Sequence, residues 1–349
     1  MSEPIAVASP LMTRTALGLY RVETSIGGTP VWIESAQPLR ASAEAFVAVS
    51  LLPAMAAHRP LAVAAELDPA FAANLGRIQE QAVAWWPALS RVSVTPAGFC
   101  AAEPAAGAAM FFTAGVDSFF TLKRNRRDVE RLINVRGFDI ALADADRQRE
   151  NTALFDGIGR ELAKPIIYLD TNLRQHGVFG SVNWEITHIA AIACMAHSLS
   201  PAPSTVYVAS TDIPPPWGSH QDIDPLWGSS GLSIVNDGWE FSRLDKVRHL
   251  VGWEIVHRSL KVCWENRART LNCGICEKCV RTQAEFLAAG AESPPASFPA
   301  GDLSRRIEDL PAVSPNLCKQ WRDVQTALRV GGIAVAIDAL LRRSEKALA

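Results

Sequence analysis

Four of the seven cysteines in this 349-residue chain lie close together, as Cys263, Cys273, Cys276 and Cys279, spaced C-x9-C-x2-C-x2-C. Two-residue gaps let neighbouring thiolates point at one centre, and four sulfurs complete a tetrahedral site for Zn²⁺. Four thiolates leave no open position for a substrate, so the expected role of the ion is structural. Zinc binding contributes roughly 10–16 kcal/mol to the folding of small peptides, enough to pin an irregular loop. An iron–sulfur cluster is a further reading of this spacing, and Cys318 is another source for the fourth sulfur. Cys100, Cys194 and Cys318 stand alone and are expected to pack in the core.

A second stretch, FFTAGVDSFFTL at 111–122, interrupts an apolar run with small and polar residues. Its ends read as a buried strand and the start of a helix, with Thr113, Ala114, Gly115, Val116, Asp117 and Ser118 as the turn. A helix N-terminus offers unpaired N–H groups and partial positive charge, which suits phosphate. Gly115 lets the backbone come close to a ligand or adopt positive φ. Thr113 and Ser118 add hydroxyl donors. Asp117 would repel a phosphate, so it either caps the helix or holds a Mg²⁺ that bridges to the phosphate. The Walker A pattern G-x-x-x-x-G-K-[ST] is absent. An ordinary strand–helix turn is the plainer reading.

These residues need a frame. From 108 onward, strand-like and helix-like segments alternate: AAMFFTA, VDSFFTLKRN, RLINVRGFDIAL, DRQRENTALFDGIGRELAK, PIIYLDT, NWEITHIAAIACMAHSL and TVYVAST. Such alternation implies an α/β fold, a doubly wound parallel sheet with helices on both faces. Ligands bind these sheets at the carboxyl ends of strands near the switch point, which is where 111–122 lies. Residues 1–104 read as a small α+β domain of unknown role. It holds two strands around Gly27-Gly28, a helix over 42–57 and a strand PLAVAAEL. A helix opened by Asp68 and Pro69 and a strand RVSVTP complete it. A stretch rich in Ala, Gly and Pro at 96–110 separates it from a domain over 105–290. A tail over 291–349 begins with AESPPASFPAGD and reads as two helices.

The formal net charge is -2 with no long basic run, which argues against broad nucleic-acid binding. No apolar run approaches the ~20 residues of a membrane helix. The N-terminus makes a poor signal peptide, so a cytoplasmic protein with reduced thiols is expected.

Thr113-Ala114-Gly115-Val116-Asp117-Ser118 resembles the S-G-G-x-D-S loop of the PP-loop ATP pyrophosphatases, which cleave ATP between its α- and β-phosphates. Thr keeps the hydroxyl, whereas Ala114 replaces a glycine and disfavours positive φ. Cys273-Gly274-Ile275-Cys276-Glu277-Lys278-Cys279, with Cys263 upstream, resembles the zinc site of the 7-cyano-7-deazaguanine synthase (QueC-like) branch. The likeness covers about residues 108–285. It implies an adenine nucleotide alpha hydrolase (HUP-like) fold, with ATP and Mg²⁺ at 113–118 and Gly137 and Phe138 among the nucleotide-binding residues. The segment EFSRLDKVRHLVG resembles the one that sets a basic residue against the phosphates, here Arg243 or Lys246. His188 stands near the family's Arg-Asn pair, as a core histidine or a pocket residue. The segment 211–230 corresponds to the family's substrate loop without reproducing its residues. It is dense in Trp217, His220, Asp222, Asp224 and Trp227, a composition more typical of a binding site than of a passive linker. It is expected to close over the ATP pocket. His220 and Asp222 would orient a polar substrate or move a proton there, and the indoles would exclude water.

The reaction so implied is attack of a carboxylate or amide oxygen of a small molecule on the α-phosphate. Pyrophosphate leaves, and ammonia or an amine attacks the adenylate. Ammonia would come from solution or a partner, and a homodimer is compatible with the sequence. Sulfur transfer ranks below amidation, since zinc would occupy four cysteines. Two other readings stay open: an enzyme modifying a base in RNA, and a non-catalytic nucleotide-binding module.

Overall fold

The computed structural model describes residues 3–103, 105–265, 270–328 and 331–348. Two short strands not evident in the sequence pattern come first, β1 (Ile5–Val7) and β2 (Leu11–Arg14). The expected hairpin follows as β3 (Tyr20–Ile26) and β4 (Thr29–Ser35). Period-two alternation puts Val22, Ile26, Val31 and Ile33 on its buried face. Helix α1 (Ala43–Ala57) is apolar nearly all round and buried along most of its length. Strand β5 (Leu61–Leu67) leads to α2 (Pro69–Trp85), where the Asp68 side chain accepts from the N–H groups of Ala70 and Phe71. Strand β6 (Val94–Phe99) begins later than RVSVTP predicts and takes in part of the expected linker, because it pairs in parallel with β5 from Leu61 opposite Val94.

The alternating half forms β7 (Ala108–Phe111), α3 (Val116–Arg124), β8 (Val129–Arg136), α4 (Ala145–Leu162), β9 (Ile166–Thr171), α5 (Trp184–His197) and β10 (Thr205–Ala209). A further strand, β11 (Ser233–Asp237), pairs in parallel with β10. Helices α6 (Arg243–Leu250), α7 (Glu254–Ser259) and α8 (Glu277–Ala288) follow. The tail holds three helices where the pattern gives two: α9 (Leu303–Glu308), α10 (Pro315–Leu328) and α11 (Gly332–Leu348). They pack with α8 around Trp321 and Ile337.

Among the described residues, all eleven strands join one mixed sheet, in the order β11-β10-β7-β8-β9-β4-β3-β1-β5-β6 with β2 on β3. From β11 to β9 every neighbour is parallel. β4 then joins β9 antiparallel, with Ile33 opposite Thr171. The N-terminal segment is thus continuous with the sheet that carries the loop at 113–118. Side chains reinforce this seam. The Trp32 N–H donates to Asn172 Oδ1 at 2.9 Å, and Thr171 Oγ1 donates to the Trp32 carbonyl at 2.7 Å. Residue 104, the expected boundary, lies outside the described residues.

Alternation along β7 sends Ala109 and Phe111 into one buried cluster and Met110 into another. The first cluster includes α1, α2 and α5, the second α3, α4 and α7, so both faces of the parallel half are covered. The chain runs outward through β7, β8 and β9, then α5 returns it to β10 on the other side of β7. This reversal makes a switch point between the carboxyl ends of β7 and β10. No helix among the described residues is long and apolar enough to cross a membrane.

Candidate functional site

The loop 112–115 opens at that switch point. Its one left-handed residue is Ala114, with φ 56°, and not Gly115, whose φ is -82°. The Ala114 Cβ is fully buried, so packing offsets part of the cost of that backbone. Gly115 is the N-cap of α3 and has no side-chain cap bond. Ser118 closes the loop from within: its Oγ donates to the Gly115 carbonyl at 3.1 Å and accepts from the Thr113 N–H at 3.4 Å. The N–H groups of Val116, Asp117 and Ser118, in the first turn of α3, have no acceptor within the helix. These residues line a cavity of about 260 Å³.

Asp117 neither caps α3 nor stands free for a metal. Its Oδ1 accepts from Lys246 at 2.8 Å and its Oδ2 from Arg243 at 3.0 Å. Burial would push this carboxyl up, but Lys246 and Arg243 together hold it at about 2. Lys246 is fully buried. Arg243 also bonds Glu285 and Thr282 on α8, and Arg281 joins Glu285 to Glu277. The network is balanced: Asp117, Glu285 and Glu277 face Lys246, Arg243 and Arg281. Both basic residues expected at the phosphates are thus tied to carboxylates.

Two other cations line the same cavity, Lys261 and Lys278. Among the described residues neither forms an ion pair with a carboxylate. Burial holds both ammonium groups below the usual lysine range. Lys261 is fastened through its backbone, its N–H donating to the Ala114 carbonyl at 2.8 Å. Asp139, which lines the same cavity, attracts both ammonium groups, and Asp117 attracts Lys278, none of these as a direct ion pair among the described residues. An anion in the cavity would add a closer partner.

A second chamber of about 240 Å³ adjoins the first, sharing Phe111, Thr113, Asp139, Ile192 and Lys261 with it. Its walls are Ile133, Val135, Phe138, Phe155 and Trp184, with Asn134, Gln148 and Asn151 among them. Phe138 lines this chamber. Gly137 does not; its φ is 97° and an added Cβ would stand 2.3 Å from the Thr171 carbonyl, so its part is steric. His188 lines the chamber beside Trp184 and Trp217. Burial lowers its pKa, so the ring is neutral at pH 7.

The four clustered cysteines are buried, with their sulfurs within 4.8 Å of one another. Sulfurs about 2.3 Å from one zinc ion lie about 3.8 Å apart; those of Cys273 and Cys279 are 3.9 Å apart. Cys276, the N-cap of α8, has its thiol lowered to about 6, with Cys279 as the first cause, toward the thiolate form that binds metal. The donor set fits a structural metal ion such as Zn²⁺. Asn272, fully buried, ties the quartet together: its Oδ1 accepts from the N–H groups of Val262 and Cys263, and its Nδ2 donates to Leu260 and Ser297. Cys318 packs instead in the core of the tail with Trp321, and Cys194 is buried on α5. Cys100, expected in the core, is exposed, because it follows the edge strand β6.

The segment 211–230 is placed differently from its expected role as a substrate loop. Trp217 touches the second chamber only through His188. His220 packs edge-on against Trp85 of α2, with ring centroids 5.4 Å apart, and its Nδ1 is 3.2 Å from the exposed Asp222. Asp224 is fully buried and accepts from Ser219 Oγ, Asn236 Nδ2 and the His220 N–H. Trp227 is fully buried, and its carbonyl is 2.9 Å from His197 Nε2. None of His220, Asp222, Asp224 and Trp227 lines either chamber. Their contacts are made within the loop and with α2, α5 and β11, because so long a loop must satisfy its backbone and acids where it packs.

Sequence reasoning passed over Lys261, Lys278 and Asn272. One signal was available: all three lie within two residues of a cysteine of the quartet. No family model, curated protein or solved structure matches this chain.

Proposed function

We propose that the two chambers hold ATP and that the protein is a QueC-like adenylating enzyme of the PP-loop type on a HUP-like sheet. The observation that carries this reading is the pairing of an open helix N-terminus with two lysines in no direct ion pair among the described residues, in one cavity at the switch point. The aromatic chamber beside it suits a planar base, and the cationic one suits a triphosphate. Mg²⁺ enters as the ATP complex, since Asp117, with both oxygens engaged by cations, is a poor magnesium ligand.

In this mechanism a carboxylate or amide oxygen of a small substrate attacks the α-phosphorus. The bond from the α-phosphorus to the bridging oxygen breaks, and its electron pair leaves with pyrophosphate. The N–H groups of Val116, Asp117 and Ser118 and the ammonium groups of Lys261 and Lys278 receive the growing negative charge. Ammonia or an amine then displaces AMP from the adenylate. Asp117 and Arg243, which also line this cavity, and Lys246 keep α3, α6 and α8 in place through their ion pairs.

Amidation is favoured over sulfur transfer. Cys100, Cys194 and Cys318 line neither chamber, and Cys263 belongs to the quartet. RNA modification is disfavoured because Arg21, on the half-exposed side of β3, is paired with Glu23 and Glu34 rather than set in a basic stripe. The test is calorimetric titration of the metal-loaded chain with Mg–ATP, followed by assay of pyrophosphate release with ammonium and a panel of small carboxylic acids. Micromolar ATP binding that falls at least about tenfold in Lys261→Met supports the reading. A chain that binds no nucleotide refutes it.

A further inference from the structure

The two lysines of the cationic chamber stand on the cysteine quartet. Lys278 lies between Cys276 and Cys279, in the first turn of α8. Lys261 lies two residues before Cys263, in a segment fastened on one side to Ala114 and on the other to Asn272, which precedes Cys273. The quartet therefore holds together the two segments on either side of residues 265–271, each bringing one cation to the same cavity.

We propose that the four-cysteine centre is a placement device for anion binding, so that affinity for pyrophosphate depends on the metal ion before the fold does. This rests on the reading of the cavity as the phosphate site of ATP. A lysine is a point charge on a long flexible stem, so its contribution depends on where its backbone is held. Without the ion, four buried sulfurs lose their common centre. The Ala114 and Asn272 bonds still tether 260–264, and the ion network still holds the body of α8, but among the described residues nothing then fixes 260–264 against the turn at 272–278 except Asn272 and packing. All four cysteines belong to the cluster shared with α3, α4 and α7, whereas the larger cluster built on α1, α2, α5 and the sheet includes none of them. Metal loss thus disorders the lysines while leaving that core intact. Lys261 and Lys278 act directly on the anion; the cysteines act through them as positioning residues.

The probe is inorganic pyrophosphate without magnesium, titrated calorimetrically into the full chain in three states: metal-loaded, chelator-treated, and chelated then resupplied with zinc. Elemental analysis and circular dichroism are recorded for each. The expected result is a loss of at least about tenfold in affinity on chelation, with the circular dichroism largely kept, and recovery on resupply. Lys278→Met should keep one ion per chain and lose at least about tenfold in affinity, while Lys278→Arg should stay within about threefold. If chelation unfolds the chain, metal dependence before unfolding is refuted. If chelated, folded protein binds pyrophosphate as before, the proposal is overturned while the ATP reading stands. If Lys278→Met and Lys261→Met both bind it as before, the lysines are not the anion's partners and both readings fall. Metal-loaded wild type that binds neither ATP nor pyrophosphate overturns the ATP reading, and this inference with it.

Discussion

The loops that leave β7 and β10 start on neighbouring strands at the same end of the sheet, and they are held in opposite ways. The loop at 112–115 is short and delivers the first turn of α3, Val116 to Ser118, to the wall of a cavity. The loop at 211–232 is long and richer in residues of catalytic type, and it consumes them internally. Asp224 serves three donors within or beside it, Trp227 fills the core, and Gly218 lies so close to α5 that a Cβ would stand 2.3 Å from the Glu185 carbonyl. Two acids, the half-buried Asp117 and the fully buried Asp224, make the same contrast. Asp117 has two cations and is held at about 2. Asp224 has only neutral donors, so burial raises it to about 7. A dense set of polar side chains in a loop signals polar groups to be satisfied; binding capacity lies where some are left over.

The sharpest way to break this comparison is Trp227→Ala. Its fully buried indole should cost about 3–5 kcal/mol in urea denaturation. Nucleotide affinity of the remaining folded protein should change less than about threefold, within about 0.7 kcal/mol. A parallel collapse of nucleotide binding would mean that the β10 loop belongs to the site after all.

Asp117→Ala comes next. It strands Lys246 and Arg243 without their shared carboxylate, which should cost about 3 kcal/mol or more. Activity would then be lost through instability, not through a missing cap or metal ligand. Adding Lys246→Met should restore part of the denaturation midpoint. If the single variant is as stable as wild type, the ion network is not what holds the β7 loop.

The third test uses pH. Asp224 has a folded pKa of about 7, above its unfolded value, so the folded state binds the proton more tightly. Its contribution to stability is full below about pH 4 and declines as pH rises through 7. The melting-temperature difference between wild type and Asp224→Asn should therefore shrink or change sign between pH 4 and pH 8. Asp117 has the opposite sign: depressed to about 2, it stabilises above about pH 4 and loses that only as pH falls toward 2. A flat difference for Asp224→Asn would place that acid outside the loop's anchoring.

The smallest effect is expected from Ala114→Gly. Relief of the left-handed backbone contributes about 1 kcal/mol, and loss of a buried methyl costs about 0.8 kcal/mol. Thermal melting should move little, and nucleotide affinity should be equal or tighter. A clear loss of affinity would show that the Ala114 Cβ shapes the cavity.

Much of the frame was legible from residue patterns. The hairpin at Gly27-Gly28, the Asp68 cap of α2 and the strand–helix alternation after 108 all rest on local periodicity and capping. Strands β1, β2 and β11 were not, because strands this short find their definition in their partners. The continuity of the N-terminal segment with the main sheet depends on β4 meeting β9, far apart in sequence and set by no local signal.

The sequence by itself determined the cysteine quartet, since C-x2-C-x2-C fixes three sulfurs through local geometry, and it determined the strand–helix turn at 113–118, which exposes N–H groups wherever it falls. Only the tertiary structure decided which charges face that loop. Arg243 and Lys246 were the nearer candidates by pattern, but packing of α3 against α6 and α8 brought Asp117 within reach of both and paired them. Lys261 and Lys278 were left to line the cavity because the quartet and Asn272 draw their segments to it. Long-range packing distributes a fixed set of charges between partners and openings, and the order of residues along the chain carries no direct record of that division.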